Sequence, residues 1–189
     1  MKLNKRIALI GVSGAGKDYC VKKIIDYLDS KQLENYTRVS FSDQLKKCGT
    51  KVFSWLKADY PPEVKEKPLN IITDLGEEIT KSPREIWLLL NSLRQIENTL
   101  FVRLLNEEIE THLALGKDMF IISDIRTLPE LEYCVKQGFK IIRIKSNNPY
   151  HKSNDFDKQQ ELFNDYIDSE FINKKDNFDF DGLFDLIKA

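Results

Sequence analysis

The chain has 189 residues, 41% of them apolar, which is enough for one sizeable core and a small insertion. Acids and bases balance to a net charge of -1, so no overall bias toward nucleic acid or an anionic membrane exists and any anion site must be local. Three scattered cysteines, Cys20, Cys48 and Cys134, fit neither a disulfide framework nor zinc spacing and point to a reducing, cytoplasmic setting. The basic start, Met1 to Arg6, is followed by an apolar run that stops at Gly11, too short for a leader or a membrane span.

Apolar runs predict strands at Ile7–Ile10, Arg38–Phe41, Met119–Ser123 and Phe139–Ile144, and a weaker one at Glu170–Ile172. Helical patterns fall at Lys17–Asp29, Asp43–Leu56, Pro83–Ile96, Thr99–Leu115, Pro129–Gln137, Asp157–Ile167 and Asp181–Ile187. Ser82 before Pro83 reads as an N-cap followed by a first-turn proline, and Gly116 and Gly138 read as helix stops. The runs Ile7–Ile10 and Met119–Ile122 are continuously apolar, as in strands of a parallel sheet covered on both faces. Alternating strands and helices imply a doubly wound α/β fold with ligands at the carboxyl ends of the strands. Ala58–Pro68 reads as a loop, and Ser146–Asp157 as a second, lid-like loop.

Gly11-Val12-Ser13-Gly14-Ala15-Gly16-Lys17 lies between the first strand and the first helix and matches the phosphate-loop pattern G-x-x-x-x-G-K. Its glycines let successive N–H groups face phosphate oxygens, and Lys17 adds charge at a helix N-terminus. Asp18 occupies the position where a Ser or Thr hydroxyl normally meets magnesium, and Tyr19 follows it. Asp124 and Arg126 leave the carboxyl end of the Met119–Ser123 strand, where an acid can hold hydrated magnesium and a guanidinium can neutralise phosphate. Asp43 is either the N-cap of its helix or a site residue, and Lys46 lies one turn on. Arg84 and Arg94 are about 80° apart in direction on one helix, so long side chains could meet one anion. Arg143 needs a partner or an exposed edge, and His112 and His151 suggest no constellation.

Gly14-Ala-Gly-Lys-Asp18, Phe41-Ser-Asp-Gln-Leu-Lys46, Pro83-Arg-Glu-Ile86, Ser123-Asp-Ile-Arg126 followed by Glu130, and Gly138 to Ile144 occur in that order. Together they resemble the phage-type deoxynucleoside monophosphate kinases of the P-loop kinase superfamily, over roughly residues 6–188. His151 to Asn154 and Phe171-Ile-Asn173 resemble that family's ending, although Asn154 stands where the family has an acid. The family commonly carries Asp after the loop lysine, so Asp18 fits it. The resemblance implies a three-layer P-loop kinase fold with a mainly parallel five-stranded sheet, in one domain over 1–189 with a helical insertion at about 57–97. It implies transfer of the ATP γ-phosphoryl group to a deoxynucleoside monophosphate (dNMP), with Mg2+. Gly11, Ser13, Gly14, Ala15, Gly16, Lys17, Asp18 and Tyr19 would hold ATP, with Asp18 beside magnesium. Asp43, Lys46, Arg84, Arg94, Asp124 and Arg126 would surround the dNMP, and Lys17, Asp124 and Arg126 would act in catalysis. Location in the cytoplasm (of a host, for a phage protein) goes with this reading, with no nucleic-acid or membrane partner; a homodimer is compatible with it.

Three rivals share parts of the pattern. An animal-type phosphomevalonate kinase also resembles Gly16 to Tyr19 and has Asp-x-Arg after a strand. Asn173-Lys-Lys-Asp176 matches the guanine-reading N-K-x-D of GTP-dependent switch proteins, but Asp179-Phe-Asp-Gly182 follows it, in the wrong order for a switch. A non-catalytic interaction module leaves the loop and Asp124-Ile-Arg126 without a common explanation.

Overall fold

The computed structural model describes residues 3–146, 160–174 and 177–188. Two compact units make up the chain, one of Met1–Ser40 with Leu105–Ala189, the other of Phe41–Leu104.

The first unit is built on five strands: β1 (Arg6–Ile10), β2 (Tyr36–Val39), β5 (Met119–Ile122), β6 (Lys140–Ser146) and β7 (Ser169–Asn173). Their order is β2-β5-β1-β6-β7, and every pairing is parallel. This is a three-layer α/β fold of the P-loop type, with helices on the sheet. Both faces are buried: Ile7 and Leu9 point to one side and Ala8 and Ile10 to the other, and all four are fully enclosed. The same demand explains the unbroken apolar run of β5.

On one face, α1 (Lys17–Ser30) and α7 (Phe180–Ile187) close the core. Cys20, Val21, Ile24 and Leu28 from α1 and Leu183 and Ile187 from α7 cluster with Ile7, Leu9, Ile121, Ile142, Ile144 and Phe171. Helices α5 (Leu100–Ala114) and α6 (Leu128–Lys136) bury Leu105, Ile109, Leu131 and Cys134, and the Tyr133 hydroxyl of α6 donates to Asn106 Oδ1 of α5 at 2.9 Å. Gly116 and Gly138 follow these helices with φ of 83° and 72°, the left-handed stop that the sequence predicts.

Arg143, the charge placed in a strand, ion-pairs with Glu170 at 3.6 Å and donates to Asn164 Oδ1 at 2.6 Å. Lys145 meets the same Glu170 at 2.6 Å. The hydrogen bond from Lys145, with the neighbouring charges of Lys145 and Arg143, holds the Glu170 carboxyl below its ordinary range.

The second unit contains α2 (Phe41–Val52), the single turn α3 (Pro62–Lys65), a two-residue hairpin of β3 (Ile71–Ile72) and β4 (Glu78–Ile79), and α4 (Pro83–Asn91). The 57–97 segment lies within it. The capping of α4 is complete: Glu85 N–H donates to Ser82 Oγ at 3.3 Å, and Ser82 N–H donates to Glu85 Oε2 at 2.7 Å. Helix α2 packs closely at Gly49, where an added Cβ would lie 2.6 Å from Trp87 Cζ3 and 2.9 Å from Leu90 Cδ1.

Several expectations need correction. The second strand ends at Val39, and Phe41 instead opens α2 with its ring buried. The helix expected over Pro83–Ile96 tightens into a 3-10 turn at Ser92–Gln95, where the Ser92 hydroxyl donates back to the Leu89 carbonyl at 2.6 Å. The segment expected as a helix to Ile167 is a 3-10 helix over Gln160–Tyr166. The lid-like loop, apart from Ser146, lies outside the described residues, as do His151 and Lys152.

Candidate phosphate-binding site

All five strands are parallel, so their carboxyl ends share one edge of the sheet. The chain leaves β1 at Ile10 and turns through Gly11–Gly16 into α1. Ala15 N–H donates to the Val12 carbonyl at 3.1 Å, and Gly14 between them has φ 79°, the positive value that a type II turn requires. Gly16 has φ 89° and caps α1, its carbonyl accepting from Cys20 N–H at 2.9 Å. At Gly11 a Cβ would collide with the Ile144 carbonyl oxygen, so the loop passes β6 where only glycine fits. Lys17 Nζ donates to the carbonyls of Gly11 at 2.6 Å and Val12 at 3.0 Å, which places the ammonium at the start of the curl. Ser13, Gly14, Asp18 and Tyr19 are exposed, while Ala15 is buried. Asp18 lies in the first turn of α1, where the helix dipole favours a carboxylate. Tyr19 meets Phe178 edge to face at 5.1 Å.

One strand over, β5 ends at Ile122, and Asp124 follows at 7% exposure. Ser40, fully buried just past β2, donates its hydroxyl to Asp124 Oδ2 at 2.9 Å. Arg38 of β2 donates to Ser123 Oγ at 3.1 Å. Arg126 is exposed, with its backbone N–H held by Glu130 Oε2 at 2.7 Å, and Thr127 N–H donates to the same oxygen at 2.9 Å. Glu130 is 1% exposed and spends its carboxylate on the N-terminus of α6. Its spacing from Thr127, three residues, is the capping-box signal. Ser40 carried no comparable signal, since only the pairing of β2 with β5 brings it to Asp124.

The remaining residues expected around an acceptor belong to the second unit. Asp43 is the third residue of α2, and therefore not its N-cap. Lys46 lies 3.3 Å from both Asp43 Oδ1 and Asp59 Oδ1. Arg84 is exposed and paired with Glu66 at 3.0 Å. Arg94 donates from Nε to Asn91 Oδ1 at 2.9 Å and stacks over Phe101 at 4.6 Å. The 3-10 turn carries Arg94 off the α-helical path that begins near Arg84, and each arginine has its own partners.

Among the described residues no group of three or more His, Cys, Asp or Glu could hold a metal by itself. Magnesium on a nucleotide needs only one or two carboxylates, with phosphate and water completing the shell, so either Asp18 or Asp124 is a suitable type of donor. Burial raises the Cys20 thiol to about 12 and pushes Cys134 well up, which makes neither a nucleophile. No helix among the described residues is long and apolar enough to cross a membrane. No protein-family model matches the chain, and no curated protein shows significant similarity to it.

Proposed function

We propose that this protein transfers the γ-phosphoryl group of ATP to a deoxynucleoside monophosphate, giving the diphosphate and ADP. The observation that carries the reading is the loop Gly11–Lys17, curled by two left-handed glycines between a parallel strand and a helix N-terminus, with the Lys17 ammonium on its first carbonyls. Asp124, buried just past the neighbouring strand, lies on the carboxyl edge where open α/β sheets bind ligands and supports the same reading.

In this reaction an oxygen of the acceptor phosphate bonds to the γ-phosphorus, the bond to the β,γ-bridging oxygen breaks, and ADP leaves. Little covalent work falls to the protein; its task is to position and to neutralise charge. The loop N–H groups and Lys17 would cradle the β- and γ-phosphates. Arg126 is the exposed cation nearest in sequence to Asp124 and would meet the transferring group. Asp18 or Asp124 would hold magnesium, which would supply charge neutralisation for the phosphates. Asp43, Lys46, Arg84 and Arg94 remain the acceptor-side set on the grounds of the family resemblance alone. A cytoplasmic location accompanies this reading.

The test is ADP release from ATP and magnesium with a panel of dNMPs and, separately, phosphomevalonate. At least one dNMP should accelerate release, and Lys17→Ala should cut turnover by about 10²–10³ in a folded protein. Acceleration by phosphomevalonate alone, or wild-type turnover in Lys17→Ala, refutes the proposal.

A further inference from the structure

Asn173 has no task in the reaction just described, yet its side chain reaches the phosphate loop. It is the last residue of β7, and its Nδ2 donates to the Ala15 carbonyl at 3.0 Å. We infer that Asn173 is a positioning residue that fixes the Ala15–Gly16 peptide of the phosphate loop and so sets the grip on the donor phosphates. The inference rests on the nucleotide reading of the loop.

Three observations support it. First, Ala15 lies between Gly14 and Gly16, whose φ values are 79° and 89°. Glycine flanks make peptide rotation cheap, so the loop's own sequence does little to choose the direction of that carbonyl. A planar trans peptide points its C=O and its N–H in opposite directions. Anchoring the Ala15 oxygen on Asn173 therefore aims Gly16 N–H, a donor of the cradle, away from β7.

Second, Asn173 does not depend on this bond for its own position. β7 pairs with β6 through five residues, ending at Ser146↔Asn173, and Phe171 two residues earlier is in the core. Asp168 Oδ2 also accepts from Ile141 N–H at 2.7 Å, and Lys145 meets Glu170. The amide is thus a rigid strut from the sheet to the loop. Third, the approach is close enough to exclude a side chain: a Cβ on Gly16 would collide with Asn173 Nδ2. The φ of the glycine that ends the G-x-x-x-x-G-K pattern already favours glycine, and a Cβ there would also push the Asn173 amide off its bond to Ala15.

The chemistry demands an amide. Aspartate has no N–H to offer the carbonyl, and it would set a negative charge beside a phosphate cradle. The order of donor affinity is therefore wild type, then Asn173→Ala, then Asn173→Asp. Equilibrium titration of the full chain with ATP and with ADP, alongside steady-state kinetics with a responsive dNMP, tests this. Asn173→Ala should weaken ATP binding about tenfold, the loss of one hydrogen bond, and Asn173→Asp about a hundredfold. The change should fall on the KM for ATP more than on kcat, with the melting temperature little moved.

Wild-type ATP affinity in both variants overturns the inference while leaving the nucleotide reading intact. A fall in melting temperature at unchanged affinity makes Asn173 a structural tie only and also overturns it. Should Asn173→Asp fail to fold, Asn173→Ser carries the comparison, with affinity between wild type and Asn173→Ala. A wild-type protein that binds neither ATP nor ADP removes the nucleotide reading itself.

Discussion

Gly49→Ala sets two physical effects against each other, and the structure decides the sign. A glycine inside a helix costs about 0.5–1 kcal/mol relative to alanine, so propensity alone predicts a more stable protein. Gly49, however, is buried in α2, and a methyl there would lie 2.6 Å from Trp87 Cζ3, 2.9 Å from Leu90 Cδ1 and 3.0 Å from Leu56 Cδ2. The two leucine methyls end flexible side chains and can turn aside. The indole is rigid and half-buried, so α2 and α4 must separate or the ring must leave its rotamer. Overpacking of this kind costs about 1–3 kcal/mol. With a rigid ring at 2.6 Å the cost lies in the upper part of that range, about 2–3 kcal/mol, so against a propensity gain of about 0.5–1 kcal/mol the net is a loss of about 1–2.5 kcal/mol, or a fall in melting temperature of roughly 2–10 °C for a chain of this size. Thermal unfolding followed by circular dichroism reads it directly. Gly49→Ala combined with Trp87→Leu should show a favourable coupling, because the two changes share one contact. A Gly49→Ala protein as stable as wild type, or more so, would refute the packing argument.

Ser40→Ala removes a hydroxyl donor from the buried Asp124 carboxylate and should cost about 1–3 kcal/mol of stability together with activity; unchanged stability and turnover would show that the bond carries nothing. Thiol alkylation of the native protein near pH 8 should label the half-buried Cys48 first, since burial holds the Cys20 and Cys134 thiols protonated, and equal rates at all three, read by mass spectrometry, would contradict the core placement. In acid, Glu85, held low chiefly by the Ser82 N–H, Glu97, held low chiefly by Arg103, and Glu170, held low chiefly by Lys145, each bind fewer protons folded than unfolded. Their stabilisation is present above the ordinary carboxylate range of about 4 and is lost as pH falls through the lower folded values. Glu85→Gln should therefore shallow the acid slope of the melting temperature, and an identical slope would exclude the capping box as its source.

Legibility followed burial pattern and turn chemistry. β1, β5 and the turn between β1 and α1 were readable because a continuously apolar run suits a buried parallel strand, and the glycines after the first one suit a tight turn into a helix. Arg38–Phe41 was misplaced by a boundary problem: Val39, Ser40 and Phe41 are all buried, so burial continues from strand into helix without a break. The hairpin at Ile71–Ile72 and Glu78–Ile79 has too few residues per strand to show alternation. Ser92 ends α4 by bonding backward to the Leu89 carbonyl, and a single serine in a helical pattern gives little warning of that. Within the site, the loop residues were legible as a contiguous pattern. Ser40 and Asn173 were not legible as partners of Asp124 and Ala15, because those contacts exist only through strand order.

The sheet by itself leaves its carboxyl edge unfinished, since each chain turns away there and gives up its ladder hydrogen bonds. Two side chains serve backbone groups left there, Glu130 at the N–H groups of Arg126 and Thr127 and Asn173 at the Ala15 carbonyl, while the Ser40 hydroxyl holds the Asp124 carboxylate. Each stands on an element other than the loop it steadies or, for Glu130, one turn into the following helix. Lys17 is the exception, because its ammonium donates to neutral carbonyls of its own loop. With an ionised donor, these are charge-assisted hydrogen bonds, and on the proposed reading phosphate oxygens would take the place of the carbonyls and add a second charge. Lys17 thus ties its own loop to the end of β1 through the Gly11 and Val12 carbonyls, as Asn173 ties it from β7.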